Sequence, residues 1–186
     1  PPVHNSEYEG FFDRLSHYQQ RSRESLRHSD SLTDEALQKY GGSLAHWKWP
    51  LKSVALTSAF GERGRRFHEG IDLRAGVGTP VYAISNAQVI YVGNAISGYG
   101  RMVVLRHPNG LLSVYAHLSK SAVKKGQNVS RGQKIAYSGR SGRVTGPHLH
   151  FEIRKGEVAL DPLRLLPGGA QIARQAGYSD DSFAQN

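Results

Sequence analysis

At 186 residues the chain is long enough for one well-cored domain with an extension and too short for two ordinary domains. Its net charge of +9 points to an anionic partner, and charge alone leaves nucleic acid, a membrane surface and an acidic wall polymer all open. Cysteine is absent, which excludes disulfides, thiolate metal sites and a cysteine nucleophile, so any metal must rest on histidine and carboxylate.

The 21 glycines favour a turn-rich β fold over a helical bundle. No run approaches the roughly 20 apolar residues of a membrane span, and no charged-then-apolar leader opens the chain. A start at Pro1-Pro2 without an initiator Met reads as a processed or trimmed form. Residues 4–40 read as helical and polar, with Tyr8, Phe11, Phe12, Leu15 and Tyr18 making one modest apolar stripe suited to docking. A second short helix is predicted over 31–40. Ser31 and Asp34 resemble a capping box there, Leu32, Ala36, Leu37 and Tyr40 share a face, and Gly41-Gly42 supplies the stop. His4, His17, His28 and His46 lack partners at metal-binding spacing and read as surface residues.

Trp47-Lys48-Trp49-Pro50-Leu51 reads as the hinge into the main unit. Beyond it, short Val/Ile/Tyr-rich runs at 54–58, 70–73, 80–83, 87–92, 102–107, 112–117, 134–138 and 148–154 alternate with Gly, Asn and Pro, which predicts a mostly β arrangement of many strands and brief turns. His107-Pro108-Asn109-Gly110 is a hairpin turn that gives His107 a loop role. After Pro167 the chain is polar, with a short helix at most around 170–176. The chain thus divides into a helical extension at 1–46, a β unit at 47–167 and a tail at 168–186.

Three stretches carry chemistry. Thr145-Gly146-Pro147-His148-Leu149-His150-Phe151-Glu152-Ile153 follows a turn with strict alternation, so a strand there puts His148, His150 and Glu152 on one face and Leu149, Phe151 and Ile153 on the other. Two imidazoles one strand repeat apart can share a metal, or one can ligate while the other handles protons. His68-Glu69-Gly70-Ile71-Asp72 starts like the helical HExxH zinc site, but Gly70, the Asp in fifth place and the alternation of Phe67, Ile71 and Leu73 read as strand. On a strand His68, Gly70 and Asp72 share a face, glycine leaves open room between two ligands, and Glu69 points away. In Leu112-Ser113-Val114-Tyr115-Ala116-His117-Leu118, alternation puts Ser113, Tyr115 and His117 on one face. Two neutral imidazoles and a carboxylate leave a zinc site net positive with an open position, and spare imidazoles beside it can move protons, a composition suited to metal-assisted amide hydrolysis.

These motifs, with Phe60-Gly61-Glu62-Arg63, Gly78-Thr79-Pro80-Val81 and Gly98-Tyr99-Gly100, follow one another in an order that resembles the LytM/lysostaphin family of zinc metallopeptidases, over residues 49–167. The resemblance implies an antiparallel β-sandwich-like catalytic domain with its site in a groove. It implies one Zn²⁺ per chain on His68, Asp72 and His150, with His117 and His148 as the catalytic pair and Tyr115 near the substrate. It further implies hydrolysis of peptidoglycan cross-links by an exported protein of the bacterial periplasm or cell envelope. The loop from Arg63 to His68 is shorter than is usual in the family. Gly93-Asn94-Ala95 and Gly98-Tyr99-Gly100 also look like those of non-catalytic relatives that activate wall amidases, which leaves a regulatory protein partner as the alternative. The charge is met by an anionic wall, and no basic run interleaved with aromatics marks a nucleic-acid reader.

Overall fold

The computed structural model describes residues 23–63 and 66–179. It opens with α1 (Arg23–Leu44), followed by β1 (Leu56–Ser58), β2 (Gly61–Arg63), β3 (Arg66–His68), β4 (Ile71–Arg74), β5 (Pro80–Tyr82) and β6 (Ala87–Gly93). Then come β7 (Arg101–Arg106), β8 (Leu112–Ser121), β9 (Asn128–Val129), β10 (Lys134–Ser138), β11 (His148–Lys155), β12 (Val158–Leu160), α2 (Pro162–Leu165) and α3 (Gly169–Gln175). Each of the eight predicted apolar runs overlaps a strand. β2, β3 and the two-residue β9 lack such apolar runs, and the short Val158-Ala159-Leu160 run that forms β12 is not among those predicted.

Ten strands form one antiparallel sheet along the path β1-β4-β11-β8-β7-β6-β9. β12 is added to β11, and β10 joins β8 to β5. Alternation along these strands divides their side chains between two apolar layers. Val103, Leu105, Tyr115, Leu149, Phe151 and Ile153 enter the larger core, whereas Met102, Val104, Val114 and Ala116 pack with Ile90, Ile96 and Tyr99. Leu163 and Leu165 from α2, Leu166 just after it and Ala173 from α3 close the larger core, and the Trp49 indole donates to Pro167 O at 2.9 Å. The turn at 107–110 forms with Gly110 in the left-handed region (φ 82°). His107, however, is buried, with Nδ1 3.0 Å from Asn86 O and Nε2 2.8 Å from Ser113 Oγ.

The helix differs from expectation. α1 runs unbroken through Ser31 and Gly41-Gly42. Two interior glycines disfavour helix by about 1 kcal/mol each. Leu44, just beyond them, is 2% exposed in the larger core, and burying a leucine contributes roughly 1.5–3 kcal/mol. With Ala36 and Trp47 buried beside it, packing carries the helix past its predicted stop. Further along, Thr33 Oγ1 donates to Ser29 O and accepts from Asp161 N, while Glu35 pairs with Lys155 and Asp34 with Arg164. The stripe from Tyr8 to Tyr18 lies outside the described residues.

Asp161 caps α2, its Oδ1 accepting from Leu163 N at 2.9 Å. Burial raises its carboxyl to about 6. Because the folded state holds this proton more tightly than the unfolded chain, the associated stability is complete below about pH 4 and is lost as pH rises through about 6. Asp161→Asn keeps the cap acceptor and removes the charge. It is expected to gain stability relative to the native chain between pH 4 and 6.5, by about 3 kcal/mol at most, as measured by chemical denaturation at each pH.

Candidate metal centre

β4 and β11 pair with His150 opposite Asp72 and His148 opposite Arg74. The strand continuity predicted through His68, Gly70 and Asp72 is replaced by a corner at Glu69-Gly70 between β3 and β4. Gly70 is no spacer over open room, because a Cβ there would stand 2.5 Å from Phe151 O and 2.9 Å from His150 Cε1. Its lack of a side chain lets the corner press onto β11 and brings His68 over the ladder.

His117 reaches the site by a second departure from regularity. Across the β8–β11 ladder Ala116 faces His150, Tyr115 faces Phe151 and Val114 faces Glu152, so plain alternation would turn His117 to the core side with Tyr115. Instead His117 takes φ 59°, the left-handed region, and among the described residues no other non-glycine has a positive φ. Its N–H bonds Tyr99 O at 3.0 Å, and the β7–β8 register slips between Arg101 and Val103. This bulge re-aims the imidazole to 4.8 Å from the His148 ring and 5.8 Å from that of His150, at a conformational cost of about 1–2 kcal/mol. Tyr115 keeps the alternation and is fully buried. Its hydroxyl meets Ser113 Oγ and Ile84 N, and its ring packs on Phe151. The expected place near a substrate is therefore corrected, since Tyr115 lies in the core under the sheet.

His68 Nε2, Asp72 Oδ1 and His150 Nδ1 converge, with separations of 3.2 Å, 2.9 Å and 3.2 Å. Zinc bonds of about 2.0–2.1 Å in a tetrahedral shell set donors roughly 3.3 Å apart, so this trio of hard and borderline donors fits zinc. The remaining ring nitrogens have partners that leave the converging lone pairs free. His68 Nδ1 lies 2.7 Å from Ala59 O and His150 Nε2 lies 2.8 Å from Glu152 Oε1. Arg63 Nη2 also approaches His68 Nδ1, at 2.5 Å, and only donation to Ala59 O by that nitrogen is compatible with a free Nε2. His117 Nδ1 donates to Ser141 O and His148 Nδ1 to Gly146 O, so each leaves Nε2 as an acceptor; that of His148 is 3.6 Å from Asp72 Oδ1. A cavity of about 340 Å³ opens beside His117, lined in part by Ser97, Gly98, Arg101 and Ser141.

Charge at the site follows from these contacts. Burial works against ionisation of Asp72, yet the His150 and His68 imidazoles beside it outweigh burial and hold the carboxyl well below the usual range. Burial lowers His68 and takes His117 down to about 4, keeping its imidazole neutral at pH 7. For His150 burial is overcome by the Asp72 and Glu152 carboxylates, which raise it to about 9, so a positive charge is favoured between them and a metal ion bound there would displace the Nδ1 proton.

Behind His150 lies a group that was not assigned from the sequence. Glu152 is fully buried, accepting from Tyr99 Oη at 2.7 Å and from Arg154 Nη1 at 2.7 Å, and Arg154 Nη1 also reaches Glu69 Oε2 at 3.1 Å. Burial would raise Glu152, but Arg154 and then His150 hold it at about 2. The parity that singled out His148 and His150 was a usable signal for Glu152 and Arg154, while the motifs containing Tyr99 and Glu69 gave neither residue a place beside that pair. Arg63 Nη2 donates to Asp72 Oδ2 at 3.2 Å, which leaves Oδ1 for the centre. Outer partners of this kind fix a ligand's orientation and basicity. Glu152→Gln is expected to weaken zinc affinity by about 10–100-fold, read by chelator competition.

An antiparallel sheet that gathers two imidazoles and a carboxylate around one point, with two more imidazoles at its rim, defines a LytM/lysostaphin-type domain. The chain belongs to peptidase family M23, whose profile matches residues 66–162. It is 40% identical over 122 residues to the uncharacterized lipoprotein YgeR of Escherichia coli, covering 65% of this chain and 47% of that protein. With the murein hydrolase activator NlpD of the same organism it shares 36% over 124 residues, 67% of this chain and 32% of the relative. An uncharacterized metalloprotease of Haemophilus influenzae is 42% identical over 130 residues, 65% of this chain and 27% of that protein. The chain therefore spans less than half the length of each of these relatives. Among solved structures, lysostaphin from Staphylococcus simulans superposes with a TM-score of 0.61 at 32% identity, covering 76% of this chain and 57% of that one. A zinc-containing peptidase from Vibrio cholerae gives 0.57 at 38% identity, covering 63% and 39%.

Proposed function

We propose that this chain is a zinc-dependent endopeptidase that hydrolyses peptide cross-links of bacterial peptidoglycan. The observation that carries the reading is the convergence of three donors with two further imidazoles whose Nε2 atoms are free. One zinc per chain on His68, Asp72 and His150 would supply Lewis acidity that polarises a carbonyl and acidifies water. The protein supplies the rest. The Nε2 of His117 or His148 takes a proton as water attacks the amide carbon, and the imidazolium so formed stabilises the oxyanion. The same proton then passes to the leaving amine as the C–N bond breaks, and the other proton of the water moves from the new carboxylic acid to the amine, leaving a carboxylate and an ammonium.

Export to the cell envelope accompanies this reading, and the net charge of +9 suits an anionic wall. Among the described residues no helix is long and apolar enough to cross a membrane. A second reading, a regulator that activates another wall hydrolase through a protein partner, is favoured by the similarity to NlpD. The intact set of five residues supports catalysis instead.

The test is to incubate the zinc-loaded chain with purified peptidoglycan and analyse released fragments by mass, beside a chelated sample. New amine and carboxyl ends that vanish on chelation support the peptidase and identify the bond. A zinc-loaded chain that releases nothing, yet stimulates an added amidase, establishes the regulator. A chain that takes up no zinc overturns the site.

A further inference from the structure

From Leu73 to Phe151 the chain contains ten Lys and Arg and no Asp or Glu. The carboxylates Asp72 and Glu152, committed to the metal centre, stand at its two ends. Within this stretch, β8, β10 and β5 lie side by side and bring cations together with aromatic rings. Lys120 is opposite Tyr137, Tyr137 is opposite Pro80, and Lys134 is opposite Tyr82. The β10–β5 register slips between Lys134 and Ala136. Lys134 thereby comes round to the side of Tyr137, its ammonium 5.0 Å from the ring centre, and Lys52 Nζ lies 5.7 Å from the centre of Tyr82. Val81, Ile135 and Ala136 fill the core from the opposite side. The outer face therefore presents three exposed lysines among two half-buried tyrosines. It also runs on from the catalytic rim, because two residues after Tyr137 the backbone of Gly139 bridges to His148.

We infer that this lysine–tyrosine face binds an anionic glycan, a chain of sugar rings bearing carboxylates. Such a polymer matches both halves of the surface. The C–H faces of sugar rings pack on aromatic rings, and carboxylates spaced along the chain meet ammonium groups with no carboxylate of the flanking strands to repel them. The site extends the reading above, in that a wall glycan lying along β10 would be held next to the peptide-cleaving centre, yet binding is measurable without turnover. Single-stranded nucleic acid also combines stacking with negative charge. Continuity with the M23 centre favours the glycan.

The test uses the full zinc-loaded chain and four labelled probes of matched length: an alginate oligosaccharide, neutral dextran, polyglutamate and oligothymidylate. The alginate oligosaccharide is expected to bind at least tenfold more tightly than the other three. Lys120→Gln with Lys134→Gln, and separately Tyr82→Ala with Tyr137→Ala, should each weaken it at least tenfold, the lysine pair also flattening the salt dependence. Tyr82→Phe with Tyr137→Phe keeps the rings and should retain binding. Zinc content and hydrolysis of a short soluble cross-link peptide should stay unchanged in all three, and the melting temperature in the lysine and phenylalanine pairs. Equal binding of polyglutamate with no effect of the tyrosine changes would reduce the face to charge alone and overturn the inference, as would tightest binding to oligothymidylate or unaltered binding in every variant. Should the alginate result hold while the chain cleaves no peptide, the glycan site stands and the hydrolytic reading falls.

Discussion

A chain carrying His150→Ala is expected to purify without stoichiometric zinc and to release nothing from peptidoglycan, whereas His148→Ala should keep its zinc and lose about 10²–10⁴-fold in turnover. The two residues are neighbours on one strand face, so the contrast tests their roles and not their location. His150 brings Nδ1 to 2.9 Å from Asp72 Oδ1 and 3.2 Å from His68 Nε2, and it is anchored through Nε2 by Glu152. Removing it deletes one of three donors and leaves Glu152 buried without one of its partners. His148 is half-buried, its Nε2 stands farther off at 3.6 Å, and its ring packs against His117 instead. Zinc content by metal analysis, followed by fragment release per zinc-loaded chain, checks both halves. Equal zinc loss in the two variants would return His148 to the ligand set.

Gly70→Ala is expected to destabilise the fold by about 3 kcal/mol and to weaken zinc binding at least tenfold, though the change adds one methyl group. The atoms that methyl would meet are the Phe151 carbonyl oxygen at 2.5 Å, Glu152 Cγ at 2.8 Å and His150 Cε1 at 2.9 Å. The first is strand backbone that cannot swing aside, and the others belong to the ligand and its anchor. Relief requires the corner carrying His68 and Asp72 to lift from β11, which separates the donors. Gly42→Ala is the control of opposite sign. Nothing lies within 4 Å of that position and the helix continues to Leu44, so the same substitution should stabilise by about 1 kcal/mol. Melting temperatures of both variants, with zinc affinity for the first, check the pair.

The candidate centre was legible where its information is local. β11 reads directly from His-Leu-His-Phe-Glu-Ile, because a period of two divides polar from apolar side chains whatever the strand pairs with, and the structure keeps Leu149, Phe151 and Ile153 in the core. The same rule misplaced His117 and the surroundings of Gly70. A bulge obeys no period, and whether one forms depends on the register of the neighbouring strands. The predicted end of α1 failed for a related reason, since two glycines weaken a helix locally while the core that receives Leu44 lies far away in sequence.

By itself, then, the amino-acid sequence determined the mostly β architecture, the residue types able to hold a cation without cysteine, and the strand that carries His148 and His150. Only the tertiary structure decided which side chains meet. It brought His68 to His150 across 82 positions of chain. It turned His117 over at φ 59° while leaving Tyr115 in the core. And it brought Tyr99 to Glu152 and Glu69 to Arg154, joining separate parts of the chain to one strand face. The physical reason is common to all three: hydrophobic periodicity is written along the chain, whereas register, bulges and buried charge pairs are settled between strands that are distant in sequence.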